Sequence, residues 1–145
     1  MKQRSGFISN SSSSSYIVRG YLVQGNDNLR KLLDGLGLLE EVDREWIEKE
    51  DPNISEIFGE LDIGWKRGKD LPFELQNLTG EYNQDDPIVG IGDVLEFDTY
   101  DLTVLEDLEW DEFKLSKAAE KLKELDLETS LVTAFIEIGG YREDT

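Results

Sequence analysis

Carboxylates are the one reactive group that this sequence supplies in density. Asp93, Glu96, Asp98, Asp101, Glu106, Asp107, Glu109, Asp111 and Glu112 fall within twenty residues of one another. Two carboxyls at a fixed separation can serve as acid and base on a glycosidic bond, or hold paired metal ions for phosphoryl transfer. Nothing along this block fixes such a separation, and a chain this acidic contains close pairs by composition alone. A formal charge of −18 also repels phosphate-bearing substrates. A calcium loop is a second possibility, because Asp51, Asn53, Ser55, Gly59 and Asp62 stand at its positions 1, 3, 5, 9 and 12. Glu56, however, occupies the position that requires glycine, and Asp62 replaces the bidentate glutamate. Gly90-Ile91-Gly92 lacks the third glycine of a dinucleotide fingerprint, and Gly68-Lys69 is followed by Asp70 where a P-loop needs Ser or Thr.

Neither histidine nor cysteine occurs. That removes the commonest general base, the commonest zinc ligands, thiol nucleophiles and disulfides together. No catalytic residue, metal or cofactor is therefore expected, and the chain reads as non-enzymatic.

The distribution of charge says more than its total. From Asp70 through Phe113 there are fourteen Asp or Glu and no Lys or Arg, whereas Met1 to Lys31 carries five basic residues against Asp27 alone. Such asymmetry attracts a protein partner with a basic surface and disfavours direct contact with nucleic acid or an anionic membrane. A folded array of the carboxylates between Asp93 and Glu112 could imitate duplex phosphates and occupy a nucleic-acid-binding protein; a solvated face that confers solubility is the simpler reading. Trp65, between Gly64 and Lys66-Arg67, is the aromatic expected at the surface as an interface anchor, while Trp46, Trp110 and Phe113 read as core.

Periodicity gives the elements that must position these groups. Tyr16 to Val23 reads as a strand with apolar residues on both faces. Gln24-Gly25-Asn26-Asp27 is a turn offering Asn26 or Asp27 as N-cap to a helix through Leu29, Leu32, Leu33 and Leu36, with Gly37 as its stop. A second helix fits Leu39 to Glu50, with Leu39, Val42, Trp46 and Ile47 inward and Asp43 among the outward acids. Asn53 and Glu56 have capping-box spacing before a short helix through Ile57 and Phe58. Strands are expected at Leu61 to Trp65, Phe73 to Leu75 and Ile88 to Phe97, where Gly90 and Gly92 permit a bulge or close backbone approach. A helix carrying Trp110, Phe113, Ala118, Leu122 and Leu125 on one stripe, with Lys114, Lys117, Lys121 and Lys123 on its basic side, then leads to a strand over Leu131 to Ile138. The expected fold is a single α+β domain, residues 16–141, with helices packed on a mainly antiparallel sheet and the first and last strands paired at its centre. A serine-rich arm, residues 1–15, precedes it and a charged tail, residues 142–145, follows.

The arm carries a pattern of its own. Gly6-Phe7-Ile8-Ser9-Asn10, followed by Ser11 to Ser15 and Tyr16, resembles the GF-x-SN-SSSSS-aromatic signature at the start of many small uncharacterised proteins of tailed bacteriophages and some bacteria. A looser likeness continues into the following strand and into Gly139, Gly140 and Tyr141. The resemblance implies a phage origin and carries no established chemistry. The serine run serves either as a spacer or as a recognition peptide that Phe7 docks on a partner. No apolar run follows Lys2 and Arg4, so a cytoplasmic protein of the host cell is expected. The expected function is that of an acidic phage protein that binds a host or phage protein, as a nucleic-acid mimic inhibitor in one form of the idea; the alternative is a virion structural or assembly accessory protein.

Overall fold

The computed structural model describes residues 3–4, 15–64, 66–80, 84–97, 109–129, 131–137 and 140–144. Along the chain these form β1 (Gln3–Arg4), β2 (Ser15–Gln24), α1 (Asn26–Gly35), α2 (Glu41–Glu50), α3 (Ile54–Glu60), β3 (Glu74–Asn77), β4 (Ile88–Phe97), α4 (Glu112–Glu124), β5 (Leu131–Glu137) and β6 (Gly140–Asp144). The strands make one antiparallel sheet in the order β1-β4-β2-β5-β6, with β3 also paired to β4. The result is the α+β domain that the pattern predicts, and β2 does pair with β5 beside the centre.

β2 holds its place because it is apolar on both sides. Its residues Val18 and Leu22 pack with Leu78, Ile88 and Val94, whereas Val23 joins Val89, Ile91 and Leu75 beneath Leu29, Leu32 and Leu33 of α1, Ile57 and Phe58 of α3, and Ala118 and Leu122 of α4. Alternate residues of β2 and β4 thus feed two clusters, the larger one covered by helices. Gly20 and Gly92 face each other in the β2–β4 register. A Cβ on Gly20 would stand 2.1 Å from the Ile91 carbonyl oxygen, and one on Gly92 2.3 Å from that of Arg19. Only glycine permits this approach, as anticipated for Gly92.

Three helices close in the same way. After α1, the Gly37 amide donates to Asp34 O and the Leu38 amide to Leu33 O, with Gly37 at φ 73°. This is a Schellman closure. The same bonds follow α3 and α4, but there the left-handed position is filled by Asp62 (φ 50°) and Asp126 (φ 57°). The Asn53 capping box of α3 forms as its spacing predicts, the Glu56 amide donating to Asn53 Oδ1 at 2.8 Å.

Several expectations need correction. Gly25, not Asn26 or Asp27, precedes α1; Asn26 is already helical, and the Asn28 side chain turns back to donate from Nδ2 to Gln24 O. α2 is rotated from its expected phase, with Val42 63% exposed and Asp43 only 7% exposed. The cause is a polar one: Asp43 Oδ2 accepts from the Glu40 amide at 2.8 Å and from Arg67 at 2.5 Å. No strand forms over Leu61 to Gly64, because Leu61 and Asp62 are used to close α3; Ile63 makes only an isolated bridge to Arg67. Phe113 is 62% exposed and Leu115 takes the buried place on α4. Finally, Gln3–Arg4 of the arm pairs with β4, and the tail belongs to β6, an edge strand against β5.

Candidate functional site

The densest buried chemistry lies where β3, β4 and α4 meet. Asp93 is 0% exposed and Glu74 6% exposed. Lys114, in the first turn of α4, reaches both: its ammonium is 2.5 Å from Glu74 Oε1 and 3.5 Å from Asp93 Oδ1. Strand alternation directs Asp93 inward, two residues beyond the core residue Ile91. The Asp111 amide donates to Asp93 Oδ2 at 2.9 Å, and Asp111 Oδ1 in turn caps α4 by accepting from the Phe113 and Lys114 amides. One carboxylate thus positions the residue that starts the helix, and that helix delivers the lysine. The Val94 amide donates to Glu74 Oε1 at 3.3 Å.

Burial pushes the Glu74 carboxyl above its ordinary range. Lys114 and the Val94 amide oppose that rise, and the neighbouring Asp93 carboxyl adds to it. Buried charges persist only when paired and hydrogen-bonded, and this group meets that requirement within the protein. Lys114 fills the space between the carboxyls, so the pair does not present two open oxygens to a substrate. A separate cavity of about 370 Å³, lined by Leu22, Val23, Gln24, Leu127, Glu128 and Val132, contains none of these groups. Among the described residues, no three acidic side chains converge as a metal site, and no helix is long and apolar enough to cross a membrane.

The residues singled out from sequence are therefore dispersed. Asp93 is no part of an exposed acidic array, because it is sealed beneath α4. Asp111 is spent on capping. Glu109 and Glu112 are exposed beside Phe113, over whose ring Lys117 lies at 5.5 Å. Glu96 pairs through its backbone in β4, and its side chain lies outside the described residues, as do Phe7, Trp65, Asp98, Asp101, Glu106 and Asp107. The sequence pattern assigns Glu74 no role and sets Lys114 on the basic side of its helix with Lys117, Lys121 and Lys123. Their available signal was position: Glu74 stands between Phe73 and Leu75, and Lys114 beside Leu115 of the buried stripe.

Another acidic feature emerges on α2. Glu41, Glu45 and Glu48 are exposed at i, i+4, i+7, a stripe roughly 10 Å long. Among the described residues none of the three is in an ion pair, whereas Arg44 is held by Asp34 and Arg30 by Asp51, each at 2.6 Å. Val42 lies exposed within the same face. The chain matches no family model, no curated protein and no solved structure. What fold and site define is thus a class only: an acidic α+β domain whose buried ionisable groups are occupied with one another.

Proposed function

We propose that this chain is a non-enzymatic acidic protein, phage-encoded in origin, that works by binding a host or phage protein with a basic surface. The observation that carries the reading is the exposed stripe of Glu41, Glu45 and Glu48 on α2, with Val42 available as an apolar contact among them. The nearby Arg30 and Arg44 are already engaged by other acids, which leaves Lys49, exposed in the last turn of α2, as the one cation of that helix set against the three glutamates. Carboxylates of this kind meet lysines and arginines at an interface rim, where they steer association and set partner choice. Imitation of nucleic-acid phosphate is the specific form of the idea, with Glu109 and Glu112 as further contributors.

The test is retention of bacterial lysate proteins on the immobilised chain at low and high salt, followed by competition between the chain and duplex DNA for the captured basic protein. Capture should fade as screening shortens the reach of charge. Gln at Glu41, Glu45 and Glu48 together should weaken it roughly tenfold at low salt, since exposed pairs contribute about 0.2–1 kcal/mol each. Salt-independent capture, or binding unaffected by the triple substitution, would remove α2 from the proposal. Recovery of the chain in purified virions would instead favour the structural or assembly role.

A further inference from the structure

We propose that the anchorage of α4 on the sheet is controlled by a single proton on the buried Glu74 carboxyl, which shares the Lys114 ammonium with Asp93. Two carboxyls that are almost wholly buried share a single ammonium, so only one negative charge there is balanced by a cation, and burial favours a proton on the other. Lys114 lies against both, at 2.5 and 3.5 Å. With the proton in place, one acid, one carboxylate and one ammonium are electrically balanced. Its loss puts a second negative charge into the same buried space, and the elements that meet there must admit water or separate.

The element free to respond is α4. It is tied to β4 through the Asp93–Asp111 bond and to β3 through Lys114, both within its first turn. The other charged groups around the pair are set by their own contacts. Arg19 on β2, the cross-strand neighbour of Asp93, donates to Thr133 Oγ1 at 2.8 Å, and Lys117, one turn along α4, pairs with Glu120 at 3.3 Å. Gln76, buried on β3, adds no charge. The sequence joining β4 to α4 carries Asp98, Asp101, Glu106 and Asp107.

The sign follows from burial. A carboxyl that keeps its proton more firmly when α4 is docked favours docking at low pH and loses that contribution as pH rises from the ordinary glutamate range through the folded value.

Carbon-detected NMR of the intact chain from pH 4 to 8 tests this directly, following the Glu74 and Asp93 carboxyls, the Val94, Asp111 and Lys114 amides, and amide exchange along α4. The expected result is a Glu74 midpoint above the ordinary range, the same midpoint at the three amides, and α4 protection falling by up to about tenfold per pH unit across it after correction for intrinsic exchange. E74Q should abolish the step; D93N is the companion should E74Q fail to fold. A Glu74 midpoint in the ordinary range, α4 protection that stays flat through the midpoint, or a step that survives E74Q would each overturn the proposal.

Discussion

Replacing Lys114 by Met keeps the length and apolar stem of the side chain and deletes only its charge. What is left is a pair of carboxyls, 0% and 6% exposed, that have lost the ammonium at 2.5 and 3.5 Å. Removing one partner of a buried pair costs about 3–5 kcal/mol. The Lys114 side chain is largely but not wholly buried, which places the expectation near the lower bound, about 3 kcal/mol at pH 7. Urea unfolding with linear extrapolation reads this as a lower midpoint at constant slope. At pH 5 the variant's carboxyls can hold protons, and the loss should shrink by up to about 1.4 kcal/mol per pH unit for each proton taken up. Adding E74Q to K114M should soften the defect, because a neutral amide no longer opposes Asp93. A loss under about 1 kcal/mol at pH 7, or the same loss with and without E74Q, would refute the assignment of Lys114 as the counter-charge of a buried pair.

Other outcomes follow from the same geometry. Asp62→Gly and Asp126→Gly should each raise stability by about 1 kcal/mol in thermal melts, since each aspartate occupies a left-handed position and places an anion at a helix C-terminus. Gly20→Ala or Gly92→Ala should cost about 3 kcal/mol or more, the added carbon meeting backbone oxygen that cannot yield. For Asp43, burial works against the charge, but the Arg67 and Glu40 hydrogen bonds and the charges of Arg67 and Arg44 outweigh it and hold the carboxyl below its ordinary value. That stability is present above the unfolded carboxylate range and is lost as pH falls through the folded value. Asp43→Asn should therefore cost about 1–2 kcal/mol at pH 7, a cost that shrinks in acid titrations of stability only as pH falls below the ordinary carboxylate range and through the lowered folded value.

Local pattern carried most of the fold, and it failed where a distant partner overrode it. β2 and β5 are legible from alternation, β4 from its short apolar run with Gly90 and Gly92, and α1 and α3 from apolar spacing with their closing or capping residues. Helical period alone turns Val42 inward and Asp43 outward; Arg67, twenty-four positions away, reverses that choice. Counting Asp93 with its acidic neighbours hid the strand parity that it shares with Val89 and Ile91. Glu74 and Lys114 lie forty positions apart, and only the pairing of β3 with β4, on which α4 packs, joins them. The exposed stripe of α2 was already visible as outward glutamates, whereas the array anticipated from Asp93 to Glu112 loses Asp93 to the interior and Asp111 to a cap.

The central position of β2 has a consequence for how the chain is made. Its flanks are completed by β4 and β5, and Arg19 finds Thr133 across 114 positions. β2 thus waits with one hydrogen-bonding edge open until β4 has left the ribosome and with the other open until β5 has followed, more than a hundred residues behind it. Contacts of such long range slow the search for the native state and leave a sticky template exposed meanwhile. Truncation ahead of β5 would make that interval permanent, and nascent fragments of this length should be the species that aggregate.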